Sequence, residues 1–297
     1  MNITAAMSDQ SLSIIRSPRA LQRKVLSWKR RGIRICLVTT MGYLHAGHES
    51  LIKKARRIAG SNGKVIVSIF VNPTQFAPSE DLTRYPRNFK HDRQICKASG
   101  ADIIFAPSAS AMYPGRELGR YSTYVNEEQL SRTMEGQVRP SHFRGVTTVV
   151  AKLFNCALPD TAVFGAKDWQ QAAIIRRMVS DLNFPVKIVV APTVRERSGL
   201  ALSSRNVYLT SKERDCAVVL HKSIQLARRL VRENETSRAK IEREVRVLVS
   251  KTPHAKLDYV NFFNSATLEP LSKVARGSHM ALAVYVGKTR LIDNAKL

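Results

Sequence analysis

The chain has 297 residues, 44% hydrophobic and 24% charged, ordinary proportions for a globular enzyme with one large and one smaller domain. No apolar run approaches the roughly 20 residues that cross a bilayer, and the N-terminus lacks the apolar core of a secretory signal. The 48 Lys and Arg outnumber 23 Asp and Glu, a net charge of +25 that favours anionic partners, but pairs such as Lys53-Lys54, Arg176-Arg177 and Arg228-Arg229 are dispersed over predicted helix faces, which argues for a solvated basic surface and against a specific nucleic-acid site.

Residues 1–32 carry serines and basic residues with one acid, Asp9, a composition that suits a basic first helix or a remnant of an organelle transit peptide. An apolar, β-branched strand is predicted over 33–40, and a helical pattern begins near Glu49. Between them runs Thr39-Thr40-Met41-Gly42-Tyr43-Leu44-His45-Ala46-Gly47-His48, an H-x-G-H pair in a strand–turn–helix junction. At such a junction the free N–H groups and positive dipole end of the helix attract phosphate, and two imidazoles can supply hydrogen bonds or positive charge to it. Taken alone, the string equally describes two surface histidines around a turn glycine. A zinc site lacks a third ligand at a familiar spacing.

Further strands are predicted over 64–71, 102–106, 161–165 and 186–191, with helices between them. The clearest helix spans 169–182, where Ala172, Ile175, Met178, Val179 and Leu182 fall on one face. Alternating helices and strands apolar on both faces define an α/β fold, a parallel sheet covered by helices on both sides. Ligands of such sheets bind beyond the carboxyl ends of the strands, where His45/His48, Asn72 to Gln75, and Lys167/Asp168 fall. After about residue 193 the character changes. Thr210 and Glu213 form a capping box opening a helix predicted to reach about Arg232; a second helix covers 237–250, and short strands follow at 258–263, 281–286 and 290–292. The expected division is therefore 1–193 and 194–297, the latter a small α+β domain. Gly277-Ser278-His279-Met280 copies an expression-tag scar, but its place before an apolar strand marks it as native. Cys36, Cys96, Cys156 and Cys216 share no local context and are expected to be buried free thiols in a reducing compartment.

Several longer segments stand in a fixed order. Val71-Asn72-Pro73-Thr74-Gln75-Phe76 precedes Asp81-Leu82-x-x-Tyr85-Pro86-Arg87; Arg139-Pro140-x-His142-Phe143-x-Gly145-Val146 leads to Phe164-Gly165-x-Lys167-Asp168-x-Gln170-Gln171. Then come Arg195-Glu196-x-x-Gly199-Leu200-Ala201-Leu202-Ser203-Ser204-Arg205-Asn206-x-Tyr208-Leu209 and Arg290-Leu291-Ile292-Asp293-Asn294. Together with the H-x-G-H turn, these closely resemble the pantoate–β-alanine ligase family over nearly the whole chain. The resemblance implies a Rossmann-like nucleotidylyl-transferase fold with a C-terminal lid, a cytoplasmic homodimer, and a two-step reaction. In it pantoate is activated by ATP to pantoyl-adenylate, and β-alanine then displaces AMP. It implies His45, His48, Lys167 and Arg205 as catalytic residues, and a nucleotide site formed with Met41, Gly42, Tyr43, Leu44, Ala46, Gly47, Gly165, Ala166, Asp168, Val194, Leu202, Ser203 and Ser204. Gln75 and Gln171 would hold pantoate and Gln75 also β-alanine. Magnesium would arrive with ATP, and Asp92 is a metal candidate. Three positions depart from the family pattern: Thr39 for proline, Leu202 for methionine, and Ser198 for an aspartate before Gly199. The alternatives are an aminoacyl-tRNA-synthetase-like ligase, for which about 100 residues leave little room for an anticodon-binding domain, and an inactive nucleic-acid-binding relative, against which His45, His48, Lys167 and Arg205 all argue.

Overall fold

The computed structural model describes residues 12–78 and 80–297. The transit-remnant expectation for 1–32 falls partly outside them; the described part of that stretch holds β1 (Ser13–Ile15) and the basic helix α1 (Pro18–Arg30), capped by Ser17. Next come β2 (Ile35–Thr40), α2 (Ala46–Ala59), β3 (Lys64–Ile69), α3 (Phe89–Ala98), β4 (Ile103–Phe105), the single turns α4 (Ala109–Met112) and α5 (Glu135–Val138), α6 (His142–Ala157), β5 (Thr161–Gly165), α7 (Trp169–Asp181) and β6 (Lys187–Ala191). The six strands form one parallel sheet in the order β1-β4-β3-β2-β5-β6. Along β2 the side chains alternate between two cores, as the pleat requires. Ile35 and Leu37 join α1, α6 and α7; Cys36 and Val38 join Leu51, Ile52 and Ala55 of α2. This is the Rossmann-like sheet with helices on both faces that the sequence predicts.

Strand order reverses at β2. The chain moves from β2 through β3 to β4 on one side, then crosses to β5 and β6 on the other. The crevice beyond the carboxyl ends of β2 and β5 is therefore the place where such a sheet receives a ligand.

The C-terminal part holds α8 (Ser211–Ala217), α9 (Val219–Arg232) and α10 (Arg238–Ser250), then β7 (Ala255–Phe263), β8 (His279–Val286) and β9 (Thr289–Lys296) in an antiparallel sheet ordered β7-β8-β9. The Thr210–Glu213 capping box is present, but the single helix expected to reach Arg232 is broken at Val218, beyond which α9 buries Leu220, Ile224, Ala227 and Val231. Met280, Leu282, Val284 and Val286 of β8 pack on α9 and α10, whereas Ala281 faces the first core. The tag-like tetrapeptide thus opens a native strand. Cys36, Cys96 and Cys156 are buried free thiols as expected; Cys216 is only half-buried. Leu182, expected on the buried face of α7, is 52% exposed because the helix ends before it. Among the described residues no helix is long and apolar enough to cross a membrane.

Candidate active site

At the end of β2 the chain must turn sharply into α2. Gly42 takes a left-handed φ of 86° and Tyr43 one of 51°. The buried carboxylate of Asp92, on α3, holds the turn by accepting the N–H of Tyr43 (3.0 Å) and of Leu44 (2.6 Å). The metal candidate Asp92 is thus engaged in backbone support. Both its oxygens are engaged by backbone, and among the described residues no group of three or more His, Cys, Asp or Glu could hold a metal. Asp92 is a brace.

His45 caps α2. Its Nδ1 accepts the Gly47 N–H at 3.1 Å, and His48 Nδ1 accepts the His45 N–H at 3.4 Å. Gly47 is required beside them, since a β-carbon there would lie 2.8 Å from His45 Cε1. The two rings sit 4.1 Å apart between centroids. Burial, then the charge of Lys167, pushes the His45 pKa down to about 4; burial, then His45 and Lys167, pushes His48 down to about 3. Both imidazoles are therefore neutral at pH 7, and with each Nδ1 accepting, each proton sits on Nε2. The pair offers two N–H donors to the cavity.

The second turn follows β5. Ala166–Asp168 is a single 3-10 turn leading into α7, and Lys167 Nζ lies 3.4 Å from the half-exposed carboxylate of Asp168. The turn's backbone is held from the C-terminal sheet: Asn294 Nδ2 donates to the carbonyls of Ala166 (3.0 Å) and Lys167 (2.6 Å).

Both turns open on one cavity of about 880 Å³ between the six-stranded and three-stranded sheets. Of the residues expected there, Met41, His45, Gly47, His48, Gln75, Gly165, Lys167, Asp168, Gln171, Val194, Leu202, Ser203, Ser204 and Arg205 line it. Gly42, Tyr43, Leu44, Ala46 and Ala166 do not; they shape the turns behind the lining. Leu202 donates its N–H to the Val194 carbonyl, and Ser203 Oγ accepts the Arg205 N–H at 3.3 Å. Ser204 Oγ donates to the Tyr43 carbonyl at 3.3 Å, joining the C-terminal part to the first turn. Arg205 is gripped by Asp81 through Nε (3.1 Å) and Nη2 (2.8 Å).

The adjacent glutamines separate in use. Gln170 is buried, accepting the Glu135 N–H (3.0 Å) and donating to the carbonyls of Leu130 (2.8 Å) and Thr133 (2.7 Å), whereas the Gln171 amide has no partner among the described residues and faces the cavity. Gln75 is less free than its composition suggests. Its Oε1 accepts from Asn72 (3.0 Å) and its Nε2 lies 3.1 Å from Met41 Sδ. Asn72 is a hub that sequence reading left without a role, also bound to Gly145 O and to the hydroxyls of Thr74 and Tyr113. His142 is fixed in one tautomer. Its Nδ1 donates to the Gln75 carbonyl (2.9 Å), so Nε2 accepts from Arg139 (3.2 Å), and burial and that guanidinium push its pKa down to about 4.

Glu135, which no motif singled out, accepts two hydrogen bonds from Arg290 (2.8 Å each) and one from the Tyr259 hydroxyl (2.9 Å), tying the cavity's acid wall to β7 and β9. Of the departures, Ser198 is exposed and its hydroxyl accepts the Leu200 N–H at 3.4 Å, so the turn closes without a carboxylate. Thr39 lies within β2 beside Ser68.

A parallel sheet with an H-x-G-H turn at its carboxyl edge, roofed by a small antiparallel sheet, defines an α/β enzyme whose site lies between two parts of one chain. The family model for pantoate-beta-alanine ligase matches residues 13–296. The chain is 48% identical over 286 residues to pantothenate synthetase of Moorella thermoacetica, covering 96% of this chain and 99% of that one, and 49% identical to that of Geobacter sulfurreducens with the same coverage. A crystal structure of the Thermus thermophilus pantothenate synthetase matches with a TM-score of 0.88 at 41% identity, covering 96% and 99% of the two chains. That of the Francisella tularensis pantoate-beta-alanine ligase, complexed with beta-gamma ATP and beta-alanine, matches at 0.78 and 34%, covering 96% and 98%. The chain belongs to the pantoate–β-alanine ligase family. Its activity is the joining of pantoate to β-alanine to form pantothenate.

Proposed function

We propose that the ligation runs through pantoyl-adenylate made in the cavity between the sheets. A pantoate carboxylate oxygen attacks the α-phosphorus of MgATP and the bond to pyrophosphate breaks. The amine of β-alanine then attacks the acyl carbon, loses a proton, and expels AMP. The observation that carries this reading is the pair of imidazoles, each with Nδ1 occupied and Nε2 without a partner among the described residues, at the N-terminus of α2 and in the same cavity as Lys167. Aimed N–H donors and a helix N-terminus stabilise the charge that develops as pyrophosphate leaves. The ATP-bound Francisella relative supports a nucleotide in the same fold.

Lys167 supplies a mobile ammonium to the phosphates. Ser203, Ser204 and Arg205 approach the triphosphate from the C-terminal part, Arg205 exchanging Asp81 for phosphate oxygens. Gln171 presents its unpaired amide to pantoate, and Gln75, oriented by Asn72, offers its N–H to pantoate and β-alanine. Magnesium enters as part of the MgATP substrate, with Asp168 the carboxylate beside Lys167. A unit boundary near residue 193, read from the change in sequence character, and a cytoplasmic homodimer complete the reading. The test is AMP release by the purified chain with each of pantoate, β-alanine and MgATP omitted in turn. AMP should require all three, with pantoate and ATP alone yielding one enzyme-bound adenylate. ADP as the product would overturn the mechanism.

A further inference from the structure

We propose that Asn294 is a positioning residue that sets the direction of Lys167 from the far sheet. The inference rests on the reading above, that Lys167 serves the phosphates. The Arg290-Leu291-Ile292-Asp293-Asn294 segment has no part in the reaction as described, and it lies within β9. Its side chains alternate in the manner of a strand. Leu291 packs into the α9/α10 core and Asp293 grips Arg195 in two bonds (2.6 and 2.8 Å). Arg290 and Asn294, on the opposite side, both cross to the six-stranded part.

The geometry at Asn294 has one solution. The carbonyls of Ala166 and Lys167 can only accept, so the amide must turn its NH₂ toward them and its oxygen toward His279. His279 must then donate through Nε2 (2.9 Å), leaving a buried Nδ1 without a partner among the described residues. Burial holds the pKa of that imidazole below its ordinary value, against the bond to Asn294, which raises it. The ring is itself fixed, stacked on Trp169 at 4.4 Å and 24°, while the Trp169 indole N–H donates to the Ser265 carbonyl at 3.1 Å.

The two pinned carbonyls belong to the peptide planes on either side of the Lys167 Cα. Because each plane is rigid, holding both fixes φ and ψ of Lys167 and hence the direction in which its side chain leaves the backbone. A single 3-10 turn supplies little hydrogen bonding of its own, so this outside amide decides where the ammonium can reach. Without it the stem must search a wider volume, and small misplacements of charged groups weigh heavily on rate.

A double-variant cycle tests the assignment, because a group that acts through Lys167 has nothing left to act on once Lys167 is gone. Single-turnover pyrophosphate release at saturating pantoate is measured for the whole chain, for Asn294→Ala, for Lys167→Ala, and for the pair. Asn294→Ala is expected to slow release at least about tenfold with KM for pantoate unchanged. In the Lys167→Ala background it should change the rate by less than about twofold. If Asn294→Ala does not accumulate as folded protein, Asn294→Ser, which cannot span both carbonyls, enters the same cycle. A similar factor in both backgrounds, or a wild-type rate in Asn294→Ala, overturns the assignment. Near-normal release by Lys167→Ala is the distinct result that overturns the phosphate role of Lys167, and this inference with it.

Discussion

The turn after β2 and the turn after β5 stand side by side at the edge of one sheet, yet they are kept in shape by opposite means. The first is supported mainly from nearby chain, with one added bond from Ser204 to the Tyr43 carbonyl. Its cap is its own His45, and its brace, Asp92, comes 48 residues later from the helix next door. The second borrows its support from β9, through contacts spanning 127 residues. A turn that presents backbone N–H groups to a ligand needs only to hold its own shape. A turn that presents one long, flexible side chain needs an outside reference, and here that reference is the sheet forming the other wall of the cavity.

The contrast can be broken most forcefully at the seam itself. Arg290 and Glu135 are paired with little exposure, 18% and 10% at their side chains, and removing one partner of such a pair costs about 3–5 kcal/mol. Arg290→Met is therefore expected to lower stability to urea by about that amount. Amide exchange should quicken in the Ala166–Asp168 turn while the N–H groups of Tyr43 and Leu44, held by Asp92, stay protected. Equal loss of protection at both turns would erase the distinction. The next effect is chemical. His48→Ala should slow adenylate formation by about a hundredfold or more, the loss typical of one aimed donor, and leave the melting temperature nearly unchanged because the turn keeps Asp92. Near-normal turnover would remove the imidazoles from the mechanism.

The smallest effect is the pH response of the first turn. Both histidines have folded pKa values, about 4 and about 3, below the ordinary 6.5. Above 6.5 they are neutral whether the chain is folded or unfolded and make no difference. As pH falls from 6.5 toward 4 and 3 the unfolded chain takes up protons that the folded one refuses, so stability declines through that window. Urea unfolding at about pH 7.5 and about pH 5 should show a larger drop for the wild type than for a His45→Gln, His48→Gln variant. An equal drop in both would mean that the pair is not held neutral by the fold.

The same division governs what was legible in the sequence. Strands β2 to β6 were readable because parallel strands buried on both faces are continuous apolar runs; β1, three largely exposed residues at the sheet edge, carries no such signal. The H-x-G-H turn was readable because its parts are contiguous. The role of Asp92 was not, since an isolated carboxylate in a helix does not announce that two backbone N–H groups rest on it. Gln170 and Gln171 look alike in the chain, and only the position of each on α7 sends one into the core and one into the cavity. Least legible were Glu135 with Arg290 and Asn294 with Lys167, partners 155 and 127 residues apart. The placing of Arg290 and Asn294 on one face of β9 was the available clue, together with His279 inside a tetrapeptide that resembles cloning residue.

The long reach from β9 to the Lys167 turn also has a consequence for how the molecule comes together. Contacts close in sequence pair early in folding, and distant ones must wait for the loop between them to close. The His45 turn draws its cap and brace from α2 and α3, and only its bond from Ser204 to the Tyr43 carbonyl waits for the C-terminal part, so most of its shape can form while the parallel sheet is still assembling. The Lys167 turn gains its reference only after α8 to α10 have condensed and β9 has docked across the cavity. During refolding, capture of phosphate by the first turn should therefore precede competence for transfer, and the last step before activity is the arrival of one strand.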